Sequence, residues 1–321
     1  MKRVFRPFAW ILLLLSCLAL GFSRCQTEQT ASDPLAAEKD ALWQTLSAAR
    51  PAGDEPDGQP ALSVTFIDVG QGDCVLLLAP DGKAMLVDAG PSDAFPAIET
   101  ALSARGVTAL DVVIATHPHD DHIGSMAAVL NCYSVGAFYT IADEQPTGSY
   151  AAMLTALEKN GCPVYPANAD DAIPWADECT VTVLNPDPDY DYGTDELNDR
   201  SVVLHVQYGA TAVLLTGDAE AAAERRMLDT YPKSMLCADV LKLGHHGSAS
   251  STTVPFFLAV DPDFAVASCG TDNDYGHPHL ETLSLLYETH TAFYRTDCDG
   301  TITFRLDGTR VSVDPIRKEN P

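Results

Sequence analysis

Basic residues are scarce in this chain. Of its 321 residues, 19 are Lys or Arg against 45 Asp or Glu, a formal net charge of −26. So acidic a surface repels polyanions at long range, which argues against tight binding of duplex nucleic acid through its phosphates. Paired cysteines at ribbon or redox spacing are missing too. The nine cysteines are scattered with no Cys-x-x-Cys, so neither a zinc ribbon nor a thioredoxin-type site is expected. Cys74 and Cys269 fall inside apolar runs and read as buried thiols. No repeat of solenoid period is visible. Beyond the N-terminus no apolar run is long enough to span a bilayer. A chain 46% apolar and 20% charged is globular in composition, which excludes wholesale disorder and a collagen-like repeat.

Lys2, Arg3 and Arg6 precede an uncharged apolar run from Pro7 to Phe22. This is the pattern of an export signal, so residues 1–25 are read as a signal peptide or membrane anchor. Cys17 and Cys25 each fit a lipid-attachment box loosely. Residues 26–60 read as a flexible linker holding one loose helix over Ala36–Ala49. The Pro- and Gly-punctuated stretch Pro51–Pro60 cannot continue that helix. The folded domain is then expected over 61–321, with the membrane touched only through the N-terminus.

Within the domain, short β-branched runs alternate with helical patterns. Strands are predicted at Leu62–Val69, Cys74–Leu78, Ala84–Val87, Asp111–Ala115, Val135–Ile141, Thr180–Leu184, Ser201–Val206, Thr211–Leu215, Asp239–Leu243, Phe264–Ala267, Ala292–Arg295, Thr301–Phe304 and Val311–Val313. Helices are predicted at Phe95–Arg105, His122–Leu130, Tyr150–Lys159, Ala219–Leu228, Thr253–Val260 and Leu280–Thr289. This mixture predicts an α/β layered domain. The acidic stretch Pro186–Asn198 reads as a surface loop.

The chemistry concentrates in Thr116-His117-Pro118-His119-Asp120-Asp121-His122, between a buried strand and a helix. His117 and His119 are two apart, so an extended backbone points both the same way. Asp121 and His122 begin the helix and can add ligands from a second direction. Imidazole with carboxylate suits a catalytic zinc, manganese or iron site better than a closed structural one.

His-x-His-x-Asp-His after a strand resembles the signature of the metallo-β-lactamase superfamily. Leu86-Val87-Asp88-Ala89-Gly90, Leu214-Leu215-Thr216-Gly217-Asp218 and Leu241-Lys242-Leu243-Gly244-His245-His246-Gly247-Ser248 stand in the family's order. Asp68–Asp73, Asn198–Leu204, Gly244–Ser248 and Tyr275-Gly276-His277-Pro278-His279 narrow the likeness to the nuclease-type domain of the ComEC competence family. The resemblance spans about Ala61 to Val313, without that family's membrane channel, so a DNA-uptake role does not carry over.

It implies a single-domain αββα four-layer sandwich holding two divalent metal ions, zinc or manganese. His117 and His119 would hold one metal and Asp121 and His122 the other, with Asp218 bridging and Asp88 bracing the ligand loop. Of the neighbours His245 and His246, the family's His-Gly pairing favours His246 as the ligand, with His245 behind it. Many members add a further His before the bridging Asp. Here only His205 lies there, inside a strand pattern. Asn198 takes that region instead, which leaves one metal short of a protein ligand.

Asp121, His277 and Lys242 are the candidate catalytic residues. Lys242, His277 and His279 could hold phosphate oxygens or protonate a leaving group. Lys242 reads equally as a strand-edge charge. Ser248 completes the set of supporting residues, and His290 reads as a helix C-terminal imidazole. The implied activity is an exported phosphodiesterase or nuclease acting by metal-activated water on a phosphodiester, DNA among the candidates. A hydrolase of another ester or amide, such as an envelope choline-phosphate esterase, a lactonase or a β-lactamase, shares the same fold.

Overall fold

A computed structural model describes residues 34–51, 53, 58, 60–193 and 197–314, all within one unit spanning Pro34–Pro321. The expected signal segment 1–25 lies outside the described residues. Among the described residues no helix is long and apolar enough to cross a membrane.

Helix α1 (Pro34–Ala48) comes first, followed by the antiparallel strands β1 (Leu62–Phe66), β2 (Val75–Leu78) and β3 (Ala84–Val87). Helix α2 (Phe95–Ala104), with Pro in its first turn, crosses over to β4 (Ala109–Ala115), which runs parallel to β3. Two short helices, α3 (Asp120–Ile123) and α4 (Met126–Cys132), lead to β5 (Ser134–Thr140). Helix α5 (Gly148–Asn160), capped by Thr147 and ended by a left-handed Gly161, leads to the edge strand β6 (Val164–Pro166).

The second half starts with the antiparallel strands β7 (Cys179–Asn185), β8 (Val203–Tyr208) and β9 (Thr211–Leu215). Helices α6 (Ala221–Thr230) and α7 (Lys233–Leu236) precede β10 (Val240–Lys242). Then α8 (Val254–Val260), β11 (Phe264–Ala267), α9 (Leu280–Thr289) and β12 (Ala292–Arg295) extend a parallel run. After α10 (Thr296–Asp299), the hairpin β13 (Ile302–Leu306) and β14 (Val311–Val313) returns to pair with β1.

Two sheets result, in the orders β14-β13-β1-β2-β3-β4-β5-β6 and β12-β11-β10-β9-β8-β7. Period-2 alternation decides how they stack. Leu62, Val64, Phe66, Val112 and Ile114 of the first sheet meet Val183, Leu204, Val206, Val213 and Val240 of the second in one core. The opposite faces are covered by helices. Leu86, Val113 and Phe138 pack on Ile98, Val129 and Met153, while Leu214, Leu241 and Ala265 pack on Met227, Phe256 and Leu283. The expected order helix, sheet, sheet, helix is therefore observed. Cys74 and Cys269 are buried free thiols, as their apolar settings require.

Two sequence readings change. The residues read as a linker are, over α1, part of the domain. Leu46 is buried, Trp43 meets Phe293 edge-on at 5.7 Å, and Arg50 lies between the rings of Trp43 and Tyr294. Arg50 also donates twice to the Asp299 carboxylate, each at 2.8 Å. The helix read as His122–Leu130 is instead two. Gly124 packs so closely on the Pro91–Ser92 backbone that a Cβ there would lie 2.4 Å from the Ser92 nitrogen. Ser125 then donates to the Pro91 carbonyl at 2.6 Å, which fixes the break.

Candidate metal centre

Parallel pairing of β3 with β4 sets Val87 opposite Ile114, so the residues that follow the two strands emerge side by side. Asp88, with φ of 60°, turns its carboxylate onto the loop after β4. One oxygen accepts from the Thr116 amide at 2.8 Å. The other accepts from the Thr116 hydroxyl and from His122 Nδ1, each at 2.8 Å. With His122 Nδ1 carrying the proton toward Asp88, Nε2 is left facing inward.

Asp218, after β9, is the focus of the site. The Nε2 atoms of His122, His246, His245 and His117 lie 3.2, 3.4, 3.8 and 3.9 Å from the single oxygen Asp218 Oδ2. His246 Nε2 also lies 3.1 Å from Asp121 Oδ2, and its Nδ1 donates to the Ser268 carbonyl at 2.9 Å. His117 Nε2 and His119 Nδ1 converge to 2.9 Å. The Ser201 hydroxyl accepts from the Asp218 amide and touches His117 Nδ1, tying the two halves together. All six predicted ligands, His117, His119, Asp121, His122, Asp218 and His246, are thus brought together.

Lys242 is placed differently from its candidate role. It is 1% exposed, and its Nζ donates to the carbonyls of Gly217 and Leu243 and pairs with Asp73 Oδ2 at 2.8 Å. With all three protons committed, it cannot reach a substrate. His279 is also occupied at both nitrogens: Nδ1 accepts from the Ala249 amide and Nε2 donates to the Tyr275 carbonyl. It fastens two loops rather than facing the cleft. Ser248 pairs with the Ser250 hydroxyl, a supporting position. His290 is the left-handed C-cap of α9, and His205 bonds the Cys237 carbonyl.

His277 and Asn198 do line the cleft, together with Gln71, Gln145 and Tyr275, around a volume of about 330 Å³. Asn273 accepts from the His277 amide and donates to its carbonyl, which fixes the backbone that carries the imidazole.

Three supporting residues escaped the sequence reading. Asp73 lies on the Nδ1 side of His246, at 3.3 Å, and so props that ring from behind. Glu220 accepts from His245 Nδ1, and Ser201 bonds as above. Asp73 belongs to the Asp68–Asp73 motif, where a signal was available. It can pack there because Gly72 has no side chain: a Cβ would lie 2.2 Å from the Asp121 carbonyl oxygen.

The electrostatics favour a cation. Burial presses the carboxyl of Asp218 upward, but His122 and His246 outweigh it and hold it well below the usual range. Burial likewise presses His122 downward, yet Asp218, Asp88 and Asp121 raise it well above an ordinary imidazole. His246 is raised in the same way, chiefly by Asp218 and Asp73 against its burial. His117 has no such surplus of carboxylates, and burial with the neighbouring His122 lowers it well below. Lone pairs also remain unused: His122 Nε2 and Asp218 Oδ1 are buried without a hydrogen-bond partner. Side-chain donor atoms of Asp73, His122, Asp218 and His246 lie within 4.8 Å of one another. Nitrogen and oxygen donors so arranged fit a divalent transition metal.

The family model of the metallo-β-lactamase superfamily matches residues 67–271. The chain belongs to the metallo-β-lactamase superfamily. Within it, the chain is 31% identical over 260 residues to ComE operon protein 3 of Bacillus subtilis (strain 168), covering 75% of this chain and 33% of that one. It is 30% identical over 279 residues to Competence protein ComA of Neisseria gonorrhoeae, covering 86% of this chain and 37% of that one. The chain therefore spans about a third of the length of these curated relatives. Among solved structures, CmlA, a diiron β-hydroxylase from Streptomyces venezuelae, superposes with a TM-score of 0.51 at 15% identity over 78% of this chain and 55% of that one. That likeness concerns the fold. Fold and buried His/Asp cluster together are those of a metal-binding member of the superfamily.

Proposed function

We propose that this protein is an exported hydrolase that cleaves phosphodiesters, nuclease-fashion, with two divalent cations, zinc or manganese. The observation that carries the reading is the composition of the cleft. Among the described residues its lining offers His119, Asp121, Asp218, His245, His246 and His277 but no Lys or Arg. An anionic phosphodiester entering there finds no side-chain ammonium or guanidinium, so its charge must be met by bound metal. His117, His119 and Asp218 would hold one cation, and Asp121, His122, His246 and Asp218 the other. Such a pair supplies Lewis acidity and counter-charge to both oxygens of an in-line displacement at phosphorus.

The chain's own residues then orient the ester. Burial first, and then the charges of His246, His245 and His279, push the His277 imidazole down to about 3. It is neutral at physiological pH and offers a hydrogen bond, not a charge, to a phosphoryl oxygen. Tyr275 stacks on the His277 ring at 5.6 Å and is 65% exposed. Its outer face suits a nucleobase or aryl group beside the scissile bond. The name competence protein, carried by the relative from Neisseria gonorrhoeae, supports a nucleic-acid substrate. Export, to the outside of the cell or the outer face of its membrane, is supported by the basic and apolar N-terminal pattern.

A second reading rests on the same lining. Asp120 and Tyr275 at a cleft whose described lining has no Lys or Arg also suit a small phosphodiester with a cationic head, such as a choline-phosphate ester. The deciding assay incubates the full chain with single-stranded DNA, a bis-aryl phosphodiester, a choline-phosphate ester and a lactam, with and without manganese, beside His119→Ala. Metal-dependent DNA cleavage lost in the variant supports the first reading. Cleavage of the choline ester alone selects the second, and turnover of the lactam alone removes both.

A further inference from the structure

The donors around Asp218 divide unequally between the two cations. One side has Asp121, His122 and His246 besides Asp218. The other has only His117 and His119, whose facing nitrogens are 2.9 Å apart, with Asp218 Oδ2 3.9 Å from the first. His205, the only histidine between the signature and Asp218, is spent on the Cys237 carbonyl.

One further imidazole faces the shared oxygen. His245 Nε2 lies 3.8 Å from Asp218 Oδ2, nearly the distance of His117 Nε2. Its other nitrogen is not free: Nδ1 donates to Glu220 Oε1 at 2.9 Å. Glu220 is itself held by Asn198 Nδ2 at 3.2 Å and by the Ser250 hydroxyl at 3.0 Å. A carboxylate behind an imidazole fixes the proton on the rear nitrogen and aims the front lone pair, the usual support of a metal-ligating histidine. The backbone serves the same end. His245 and His246 both have left-handed φ, 46° and 56°, a costly conformation for non-glycine residues. In an extended strand, adjacent side chains would point to opposite faces. This turn sends both to one oxygen.

We propose that His245 is the fourth protein ligand of the cation held by His117 and His119, with Glu220 as its orienting carboxylate and Asn198 and Ser250 holding that carboxylate. The inference rests on the two-cation reading above. It replaces the expectation that this metal lacks a protein ligand, and it moves His245 from a supporting position to the metal. Glu220 is then a positioning residue.

Metal content tests it without reference to turnover. The full chain is loaded with manganese or zinc and dialysed. Bound metal is counted by elemental analysis, and the two affinities are read by calorimetry with the metal alone. The variants are His245→Asn, which tolerates left-handed φ, Glu220→Gln, and His277→Ala as a control. Wild type and His277→Ala should hold two metals per chain. His245→Asn should hold one, and Glu220→Gln should weaken the second site by about 10–100-fold. If His245→Asn keeps two metals at wild-type affinity, the proposal is overturned and the Glu220–His245 pair is left to proton transfer. If circular dichroism shows that variant unfolded, Glu220→Gln decides, and unchanged second-site affinity overturns the proposal. A wild-type chain that holds a single metal overturns the two-cation reading and this proposal with it.

Discussion

At the scale of residues, Asp218 Oδ2 organises the site, and its removal should be felt by every ligand that faces it. Asp218→Asn keeps the size and the hydrogen-bonded Ser201 contact but loses the charge that His122 and His246 surround. We expect metal content to fall and hydrolysis to drop by more than the roughly 10–100-fold that loss of an outer support costs, since Asp218 is placed as a direct ligand. Wild-type metal content in the variant would contradict the geometry. Lys242 should behave in the opposite way, as a stability residue. Its ammonium is fully buried against Asp73, and removing one member of a buried pair leaves the other charge uncompensated. Lys242→Met should therefore cost about 3–5 kcal/mol in urea unfolding. A loss under 1 kcal/mol would mean that Asp73 is neutralised by other means. The ligands His117 to His122 were legible in the sequence because they are consecutive. Asp218 and His246 were legible because each closes a strand within a recognisable phrase. Glu220 and the true settings of Asp73 and Lys242 were not, because their partners come from distant segments that meet only in the folded sheets; for Asp73 the motif marked the residue but not its partners.

At the scale of elements, nearly every long strand and helix could be read from period alone. Strand β6 and helices α7 and α10 could not, since three or four residues carry no period. Helix α1 is legible as a helix but its docking is not: Trp43 and, just past the helix, Arg50 meet β12 and Asp299, and nothing local shows it. Arg50→Ala should cost roughly 3 kcal/mol, because a buried pair is broken and two ring contacts go with it. A chain begun at residue 61 should likewise unfold at lower urea than one begun at residue 34. Lys39 on α1 donates to the Gly276 carbonyl at 2.6 Å, so the shorter chain should also raise KM through the His277 loop. Equal stability of the two chains would return 34–50 to the linker.

Helix α6 carries a pH-sensitive contact. Burial raises Glu224 from 4.5 to about 7, although it accepts from the amides of Thr252 and Thr253. An acid whose folded pKa is raised adds stability below its unfolded pKa and loses it as pH climbs to the folded value. The window is therefore pH 4.5 to about 7, worth about 3 kcal/mol at most. Urea unfolding of wild type and Glu224→Gln should show the wild-type advantage shrinking from pH 5 to pH 8. A constant difference between the two would remove Glu224 from the account.

At the scale of the whole molecule, charge sets the terms on which a polyanion can approach. The chain carries −26, and basic side chains are drawn into acid pairs: Arg50 with Asp299, Arg200 with Asp143, Arg226 with Asp187 and Arg295 with Asp297. Repulsion reaches about 30 Å at 0.01 M salt and about 8 Å at 0.15 M. A single-stranded DNA approaching the cleft is therefore repelled most at low salt, and on the two-cation reading proposed above attraction begins only at the metal site. Raising salt from 0.01 to 0.15 M at constant metal should increase kcat/KM for single-stranded DNA, on the order of 10-fold. A bis-aryl phosphodiester, with a single charge, should change little. An enzyme that gathers its substrate on Lys and Arg shows the reverse, since salt competes for each phosphate contact. A kcat/KM for DNA that falls steeply with salt would reveal a basic track outside the cleft. A rate that rises for DNA and stays level for the small ester would place recognition at the metal centre and the Tyr275 face, where this surface leaves it.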